Sequence, residues 1–353
     1  SVLSGLTKLE RLFLSNNRIT DISVLSGLTN LRHLFLQLNN FTDISPLRNL
    51  ANLTYLDLQA NPLVYSVADN DYILALMTRG AQVVFDLPPR ESDFDIELVF
   101  LSPYTDEQKR AIQYAARRWE SIITEDLPDH EFTQGWSGAC GDQSYEIPAG
   151  ERIDDLRIYV IEQLSSSGHH WASLTMTRTT PHLPLLGCIS VSGNNGHVAL
   201  HEIGHILGIG TLWFDFIQNP PGDPHFNGPL AIAAFNKAGG RNYTGAKVPV
   251  EIEGGGTSIH WRSPQMIGEV MAGGGSISAI TVQALADLGW VVDVTQANPY
   301  ILPSAAAKAS AKVAAPSTHA DHAEPEWSCG VGEQREPIYV VDQQGRIIRT
   351  INP

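Results

Sequence analysis

The sequence predicts a multidomain protein in which an N-terminal repeat solenoid is followed by an α+β domain. Three observations support this prediction. A 22-residue pattern repeats without gaps through residues 3–63. Near residue 94 the pattern changes to an alternating strand followed by an amphipathic helix. The segment HVALHEIGHILGIGTLW, residues 197–213, contains HExxH, a helical metal-binding motif.

Composition and charge exclude several classes of function. The chain has 353 residues and 43% hydrophobic residues, enough to bury the cores of two or three domains. Its formal net charge is -15, from 38 acidic and 23 basic residues, which argues against binding to nucleic acid or to an anionic membrane surface. No apolar run approaches the roughly 20 residues that span a bilayer. The sequence opens inside a repeat without a signal peptide, which suggests a fragment of a longer chain.

The first 86 residues are interpreted as leucine-rich repeats of the β/3-10 type. The pattern LxxLxLxxN recurs with its asparagines at Asn17, Asn39 and Asn61. Each turn should have a short strand at LxL, leucines that fill the interior and an asparagine that bonds to the turn backbones. Residues 70–86 are expected to form a C-terminal cap, which repeat arrays require. The 22-residue period with DIS turns resembles the internalin-like bacterial repeats.

The outward-facing side chains of these strands give a candidate binding surface for a protein partner. Its predicted members lie on the concave face of the solenoid: Phe13, Arg32, Phe35, Thr54 and Asp57. The alternative, in which the repeats are only a structural spacer, stays open.

The sequence predicts a linker at residues 87–93 and the α+β domain at residues 94–302. An alternating strand opens the domain, and Thr105 can cap the long helix that follows. Further strands are predicted within residues 154–163 and 186–192, the second just before the HExxH helix. We expect the strand at 186–192 to lie at a sheet edge, where an extended substrate could add as another strand.

The sequence also gives predictions for the C-terminal region and for the cysteines. Residues 303–323 are rich in Ala, Pro and Ser and predict a linker, and residues 324–353 predict a β-hairpin with its turn at Gly345. No function can be derived for this hairpin. Cys140 and Cys188 both lie in the central domain. They could form a disulfide in an oxidising compartment or remain two separate buried thiols.

The HExxH motif supplies two metal ligands and an acid/base. His201 and His205 are four residues apart on a helix, so their imidazoles can hold one ion. Glu202 leans to the side of that face and can reach a water molecule without binding the metal. The alternative is a helix with two surface histidines. His197 and His201 form a second pair at this spacing. Only the pair of His201 and His205 encloses the glutamate and is followed by Gly208, which can end the helix.

A catalytic zinc has three protein ligands, so a third ligand is required. The compact spacing HExxHxxGxxH would need histidine at position 211, which is Thr211. Glu251 and Glu253 lie in a strand-like segment and fit poorly as ligands from a following helix. The residues by themselves leave two candidates, His225 in a Pro- and Gly-rich loop and His260 ahead of a Gly-rich turn.

Residues 94–293 resemble leishmanolysin and its bacterial relatives, a metzincin group in which an insertion delays the third histidine. The segments that carry the resemblance include LPLLGCISVS, HEIGHILGIGTLW, GPLAIAAFNKAGG and HWRSPQMIGEVMAGG. The insertion corresponds here to residues 209–259. The chain departs from the eukaryotic members in having almost no cysteines.

The resemblance implies a role for each residue of the site. It implies that His201, His205 and His260 are zinc ligands, that Glu202 is the catalytic acid/base and that Met271 is the structural residue of the methionine turn. The implied function is that of a zinc-dependent metalloendopeptidase with Zn2+ as its cofactor and proteins or peptides as substrates. The implied location is secreted or at a bacterial cell surface.

A second hypothesis comes from the repeats. The protein could be a cell-surface adhesion or recognition protein with a secondary or inactive zinc domain, and intact Glu202 counts against inactivity. Both roles could coexist, with repeats that position a substrate and a peptidase that cuts it. We expect a fragment of residues 90–302 to retain peptidase activity without the repeats.

Overall fold

The structure is a computed structural model that describes residues 3, 5–64, 66–86, 92–162, 170–193, 195–251, 259–303, 338–341 and 346–351. Its strands are β1 Arg11–Phe13, β2 His33–Phe35, β3 Tyr55–Asp57, β4 Gln82–Val84, β5 Ile96–Phe100, β6 His130–Phe132, β7 Trp136–Cys140, β8 Gln143–Ile147, β9 Glu151–Ile153, β10 Leu156–Ile161, β11 Trp171–Arg178, β12 Pro184–Ser190, β13 Ile217–Gln218, β14 His225–Phe226, β15 Ile338–Val341 and β16 Ile347–Ile351. Its α-helices are α1 Val67–Thr78, α2 Asp106–Glu120, α3 Gly196–Ile206, α4 Pro229–Lys237 and α5 Ala279–Asp287. Short 3-10 helices include Ser23–Gly27, Ser45–Asn49 and Val270–Ala272. Most of the predicted linkers 87–93 and 303–323 lie outside the described residues.

The N-terminal region forms a parallel sheet of strands β1 to β4. Their central residues lie in register, and Leu34, Leu56 and Val83 are fully buried inside the turns. The Asn39 side-chain amide donates to the carbonyls of Leu14 and Leu36, both at 2.9 Å, so it joins two successive turns. The predicted role of the repeat asparagines is therefore confirmed.

Helix α1 and strand β4 close this solenoid. The helix begins with a capping box in which the Ser66 hydroxyl accepts from the Asp69 amide and the Asp69 carboxylate accepts from the Ser66 amide. Arg48, in the last 3-10 turn of the repeats, pairs with Asp69 at 2.8 Å. The helix therefore starts three residues before the predicted cap at 70–86, and its first turn is tied to the last repeat.

The second region is built on a six-stranded sheet with the order β16-β15-β11-β12-β10-β5. Strands β5, β10 and β12 are parallel, and β11 is antiparallel to β12. All six residues of β10 are buried, with Ile158 and Val160 in one core cluster and Tyr159 and Ile161 in the other. The first cluster includes residues of α2 and α3, and the second includes residues of β7 and β8. A strand covered on both faces reads as a largely apolar run, as β10 does apart from Arg157, which pairs with Glu97 and Glu151.

The expectation that residues 186–192 form an edge strand is wrong. They lie largely in β12, which has β10 on one side and β11 on the other. Its continuous burial has the same cause as that of β10, and a fully apolar run does not mark an edge. The outer neighbour is β11, which β15 pairs in parallel at residues 176–178.

The predicted C-terminal hairpin is present as β15 and β16, and its turn at Gly345 lies outside the described residues. It does not stand apart from the central domain, because it adds two strands to the six-stranded sheet. Val340 and Val341 are buried, and the Tyr339 ring meets Trp136 edge-to-face at 5.1 Å between centroids. These contacts fasten the end of the chain to the second core cluster.

Cys140 and Cys188 form a disulfide, with their Cα atoms 5.6 Å apart. The bond joins the end of β7 to β12, across a sequence separation of 48 residues. The pairing resolves the alternative that the sequence left open, and such bonds are typical of oxidising compartments.

The repeats pack directly on the second region. Leu74 of α1 lies so close to the start of α3 that a Cβ added at Gly196 would be 2.6 Å from its Cδ2 atom. The Tyr114 hydroxyl of α2 donates to the Asn70 side chain, and its ring meets Phe85 edge-to-face at 5.0 Å. Buried side chains from both regions belong to the first apolar cluster. This packing does not support the expectation that residues 90–302 form an independent unit.

Candidate metal centre

Helix α3 carries the first two histidines of the site on one face. The four-residue spacing of His201 and His205 brings their ring centroids to 4.8 Å. The helix ends two residues before Gly208, whose φ of 119° reverses the chain direction. Thr211, which stands where a compact motif would have its third histidine, instead donates its hydroxyl to the His205 carbonyl at 2.6 Å.

A two-stranded ribbon at the end of the insertion presents His260. Val250 pairs with Trp261 in an antiparallel bridge, and the Glu251 amide donates to the His260 carbonyl at 3.0 Å. Trp261 is buried, and its indole donates to Thr281 at 2.8 Å. The ribbon is thus anchored to α5 immediately beside His260.

Arg262 ties the same ribbon to the body of the insertion. Its guanidinium donates to the carbonyls of Val250 and Pro224, both at 2.7 Å, and pairs with Asp223 at 3.3 Å. The Asp223 carboxylate in turn accepts from the Ala246 amide at 2.9 Å. These bonds hold three separate parts of the insertion together, so the position of His260 is set by the fold of the whole segment.

The three histidines converge through one nitrogen each. The Nε2 atoms of His201, His205 and His260 lie 3.2 Å apart in all three pairs. Two nitrogens that bind one tetrahedral zinc at about 2.0–2.1 Å are separated by about 3.3–3.4 Å. The observed triangle of nitrogens therefore fits a zinc ion, and a fourth position remains open by the geometry of three ligands.

The opposite nitrogen of each ring has a hydrogen-bond acceptor. The three pairs are His201 Nδ1 with the Val270 carbonyl at 2.7 Å, His205 Nδ1 with the Ile209 carbonyl at 2.7 Å, and His260 Nδ1 with the Glu251 carboxylate at 2.8 Å. An acceptor there requires the proton on Nδ1, which leaves a lone pair on each Nε2. Three lone pairs facing one another at 3.2 Å repel unless a cation lies between them, and this is the arrangement of metal-bound histidines.

Burial keeps two of the rings neutral. It lowers the pKa of His201 to about 3, and the nearby His260 adds to this effect. Burial also holds the pKa of His205 well below its ordinary value, with His201 and His260 as further causes. A neutral imidazole is the form that binds a metal. These two rings are therefore in the metal-binding form at physiological pH.

Glu202 and Met271 both lie at helix α3, Glu202 within it and Met271 packed against it. Glu202 lies in the same helical turn as His201, with 1% of its surface exposed. Met271 is fully buried in the 3-10 turn Val270–Ala272, and its sulfur would lie 2.6 Å from a Cβ added at Gly204 of α3. The methionine turn thus packs against the helix between the two histidines of the motif, and only glycine leaves room for it.

A buried glutamate that sequence reasoning missed organises this turn. The Glu269 carboxylate accepts from the Met271 amide at 2.7 Å, from the Ser278 amide at 3.2 Å and from the Ser278 and Thr281 hydroxyls. Burial raises its pKa to about 7, although these hydrogen bonds act in the opposite direction. Glu269 is the single acidic residue in the apolar, Gly-rich stretch GEVMAGG. This isolated charge was the feature of the sequence that could have indicated its structural role.

The remaining candidates lie apart from the three nitrogens. His225 is in β14, with its Nδ1 against the Asp223 carbonyl at 2.9 Å. His197 is in the first turn of α3, and its ring lies over Gly275. Among the described residues, the His-containing group that could hold a metal consists of His201, His205 and His260. Glu253 lies outside the described residues.

The concave face of the repeats carries an aromatic row. Phe13 stacks on Phe35 with 4.5 Å between ring centroids, and Phe35 meets Tyr55 at 4.6 Å. His33 extends the row, at 6.5 Å from Tyr55, and Phe13 is 67% exposed. Asp57 is only 7% exposed, so it contributes less to this face than the sequence predicted.

Comparison with known proteins identifies the N-terminal region. The family model of leucine-rich repeats matches residues 7–48 and 29–67. This part of the chain consists of leucine-rich repeats. No curated protein matches the chain. In the described part of the chain, no helix is long and apolar enough to cross a membrane.

Two solved structures similar to the chain are internalins of Listeria monocytogenes. An internalin C2 is 35% identical, with 24% of this chain and 35% of that chain covered and a TM-score of 0.21. An internalin F is 29% identical, with 26% of this chain and 25% of that chain covered and a TM-score of 0.21. The chain therefore spans about a third and a quarter of the lengths of these two proteins.

Proposed function

We propose that this protein is a zinc-dependent metalloendopeptidase of the leishmanolysin-like metzincin type. The observation that carries the proposal is the triangle of Nε2 atoms from His201, His205 and His260, each 3.2 Å from the others. Glu202 in the same helix and Met271 beneath it support the assignment. His201, His205 and His260 would hold the zinc, which would supply Lewis acidity and would lower the pKa of a water molecule.

The contribution of the chain itself to hydrolysis is proton transfer. Glu202 accepts the proton of the attacking water and returns it to the amine that leaves when the peptide C–N bond breaks. The products are a carboxylic acid and an amine, which become a carboxylate and an ammonium group when the acid proton moves to the amine, so one water molecule balances the reaction. Burial of Glu202 strengthens its interactions with developing charge, because the surroundings are less polar than water.

An extended substrate has a different docking edge from the one that the sequence suggested. Strand β11 is the outer neighbour of β12, and β15 pairs it only at residues 176–178. Residues 171–174 pair with β12 on one side, and in the described part of the chain no strand pairs with them on the other. We propose that substrate adds here as a strand and that the C-terminal hairpin limits how far along β11 it can pair.

The zinc content of four proteins tests the proposal. Wild type, His225→Ala and Glu202→Gln should each retain about one zinc per chain after dialysis against a mild chelator, whereas His260→Ala should lose it. Wild type and His225→Ala should cleave an unfolded protein substrate. Glu202→Gln should lose at least about 100-fold in cleavage rate, because its amide cannot accept the proton.

His225→Ala is the matched control, since it removes a histidine from the same segment without touching the nitrogen triangle. Loss of zinc in His225→Ala with retention in His260→Ala would overturn the ligand assignment. Undiminished cleavage by Glu202→Gln would overturn the proton-transfer role. A wild-type protein that binds no zinc would contradict the peptidase proposal and favour protein recognition by the repeats.

Protein recognition by the leucine-rich repeats is the second proposed function, at a bacterial cell surface or after secretion. The observation that favours it is the aromatic row on the concave face, in which Phe13 is exposed and Phe35 and Tyr55 are half-buried. Large aromatic side chains dominate the binding energy of many protein interfaces. Phe35→Ser should abolish capture of a partner protein and leave hydrolysis of a short peptide unchanged. Equal capture by this variant would point to a spacer role.

A further inference from the structure

We propose that Glu251 is the positioning residue for His260 and sets the metal affinity of the site through it. The inference rests on the proposed zinc site and deepens it. In this assignment Glu251 is not a ligand. Its carboxylate fixes the orientation and the tautomer of the one histidine that does not belong to α3.

Glu251 holds His260 at two points. Its carboxylate accepts from the ring at 2.8 Å between Oε2 and Nδ1, and its backbone amide donates to the His260 carbonyl at 3.0 Å. The bridge between Val250 and Trp261 makes these contacts part of one antiparallel ribbon. The backbone bond sets the distance between the two residues, and the carboxylate then selects one ring orientation.

The other two histidines are oriented in a different way. His201 and His205 project from one helix and bond to the backbone carbonyls of Val270 and Ile209. Side-chain substitution leaves such carbonyls in place. His260 depends instead on a side-chain acceptor, so its orientation can be changed by a single mutation. His260 is also the ligand that the long insertion separates from His201 and His205 in the sequence.

Charge gives this contact a second effect. The acceptor of the His260 ring proton is a carboxylate, whereas the acceptors of the other two rings are backbone carbonyls. A negative acceptor on Nδ1 increases the electron-donating strength of Nε2 towards a metal, which a neutral carbonyl does less well. Because the Glu251 side chain is 42% exposed, solvent reduces this effect, and orientation remains the larger contribution.

The zinc dissociation constants of the full chain and its variants test the inference. They should be measured by competition with a chromogenic chelator at one pH. Glu251→Ala should bind zinc about 10–100-fold more weakly than wild type. Glu251→Gln, which keeps an acceptor without the charge, should fall between the two. Glu146→Gln is the matched control, since Glu146 is an exposed glutamate of β8 and should leave affinity unchanged.

Two further measurements separate positioning from structural damage. Thermal unfolding of the zinc-free proteins should give the same Tm for wild type and Glu251→Gln. The NMR signal of the His260 Nδ1 proton, slow to exchange in the wild-type zinc form, should exchange faster in Glu251→Ala. The signals of His201 and His205 should stay unchanged, because their acceptors are backbone carbonyls.

The outcomes are distinct. Weaker zinc binding in Glu251→Ala, partial recovery in Glu251→Gln and an unchanged zinc-free Tm establish the positioning role. Two results would overturn the positioning role and leave the zinc site in place. One is wild-type zinc affinity in Glu251→Ala. The other is a loss of zinc affinity in Glu251→Ala that a lower Tm of the zinc-free variant explains in full. If wild type itself binds no zinc, the proposed function fails, and this inference fails with it.

Discussion

At the scale of single residues, the site depends on which nitrogen of each ring carries the proton. Each of the three Nδ1 atoms faces an acceptor of a different origin. The acceptors are the Val270 carbonyl in the 3-10 turn, the Ile209 carbonyl just after α3 and the Glu251 side chain. Each leaves an Nε2 lone pair directed at a common point. An HExxH helix with two surface histidines has no reason for this arrangement, because exposed rings find their partners in water.

Glu269 gives a pH prediction at the same scale. Burial raises its pKa from the ordinary 4.5 to about 7, so the folded protein binds a proton that the unfolded chain has released between these values. The stabilisation is fully present below pH 4.5 and is lost as pH rises through 7. Glu269→Gln imitates the neutral group and should lack this dependence.

The test is urea unfolding of the zinc-free proteins from pH 4.5 to 7.5. The stability of wild type relative to Glu269→Gln should fall by up to about 1.4 kcal/mol per pH unit within this window. A relative gain of wild type with rising pH would mean that the four donors around Glu269 outweigh its burial.

At the scale of elements, α3 is the point where the sheet, the methionine turn and the repeats meet. Glycines make these close approaches possible: a Cβ at Gly187 of β12 would be 2.6 Å from Ile206, and one at Gly204 would be 2.6 Å from the Met271 sulfur. The Trp119 indole of α2 donates to the Leu200 carbonyl at 2.8 Å and fixes the helix from another side. The face of α3 that carries His201 and His205 therefore has little freedom to shift.

Gly204→Ala should move the methionine turn. The added methyl group would lie 2.6 Å from the Met271 sulfur and 3.2 Å from Trp119, and both neighbours are fully buried. Overpacking of this kind costs about 1–3 kcal/mol, which exceeds the gain of roughly 1 kcal/mol from alanine in a helix. We expect lower stability in urea and weaker zinc binding. Gly27→Ala, where an added Cβ meets nothing within 4 Å, is the control. Stabilisation by Gly204→Ala would contradict the close packing.

At the scale of the whole molecule, the repeats and the region that carries the three histidines share one core. Leu74 contacts α3 at Gly196, Tyr114 bonds to Asn70, and Asn298 donates to Asp71 at 2.5 Å. These contacts join the repeat cap to α2, to α3 and to the segment after α5. The two regions should therefore unfold together, although their sequences read as separate domains.

Tryptophan fluorescence can test this coupling, because all seven tryptophans lie after residue 86. Leu74 is fully buried, and Leu74→Ala should cost about 2–5 kcal/mol. A mutation in the repeat cap should thus lower the urea midpoint reported by the other region. Leu38→Ala, at a leucine that is 54% exposed, should leave the midpoint unchanged. An unshifted midpoint in Leu74→Ala would restore the picture of independent domains.

The sequence by itself determined the features that depend on short stretches of chain. The 22-residue period fixed the repeat strands and the Asn39 contacts, because each repeat uses the same local geometry. The spacing of His201 and His205 fixed their common face, because a helix brings residues four apart together. Thr105 marked the start of α2, since a capping box involves only four consecutive residues.

Tertiary structure alone decided the rest, because the remaining features depend on pairing between distant segments. Spacing left His225 and His260 open, and the fold of the insertion brings only His260 to the other two nitrogens. The interior place of β12 follows from strands on both sides of it, which its apolar run could not reveal. The contact of Glu251 with His260 and the packing of Leu74 on Gly196 likewise join elements whose meeting no local pattern encodes.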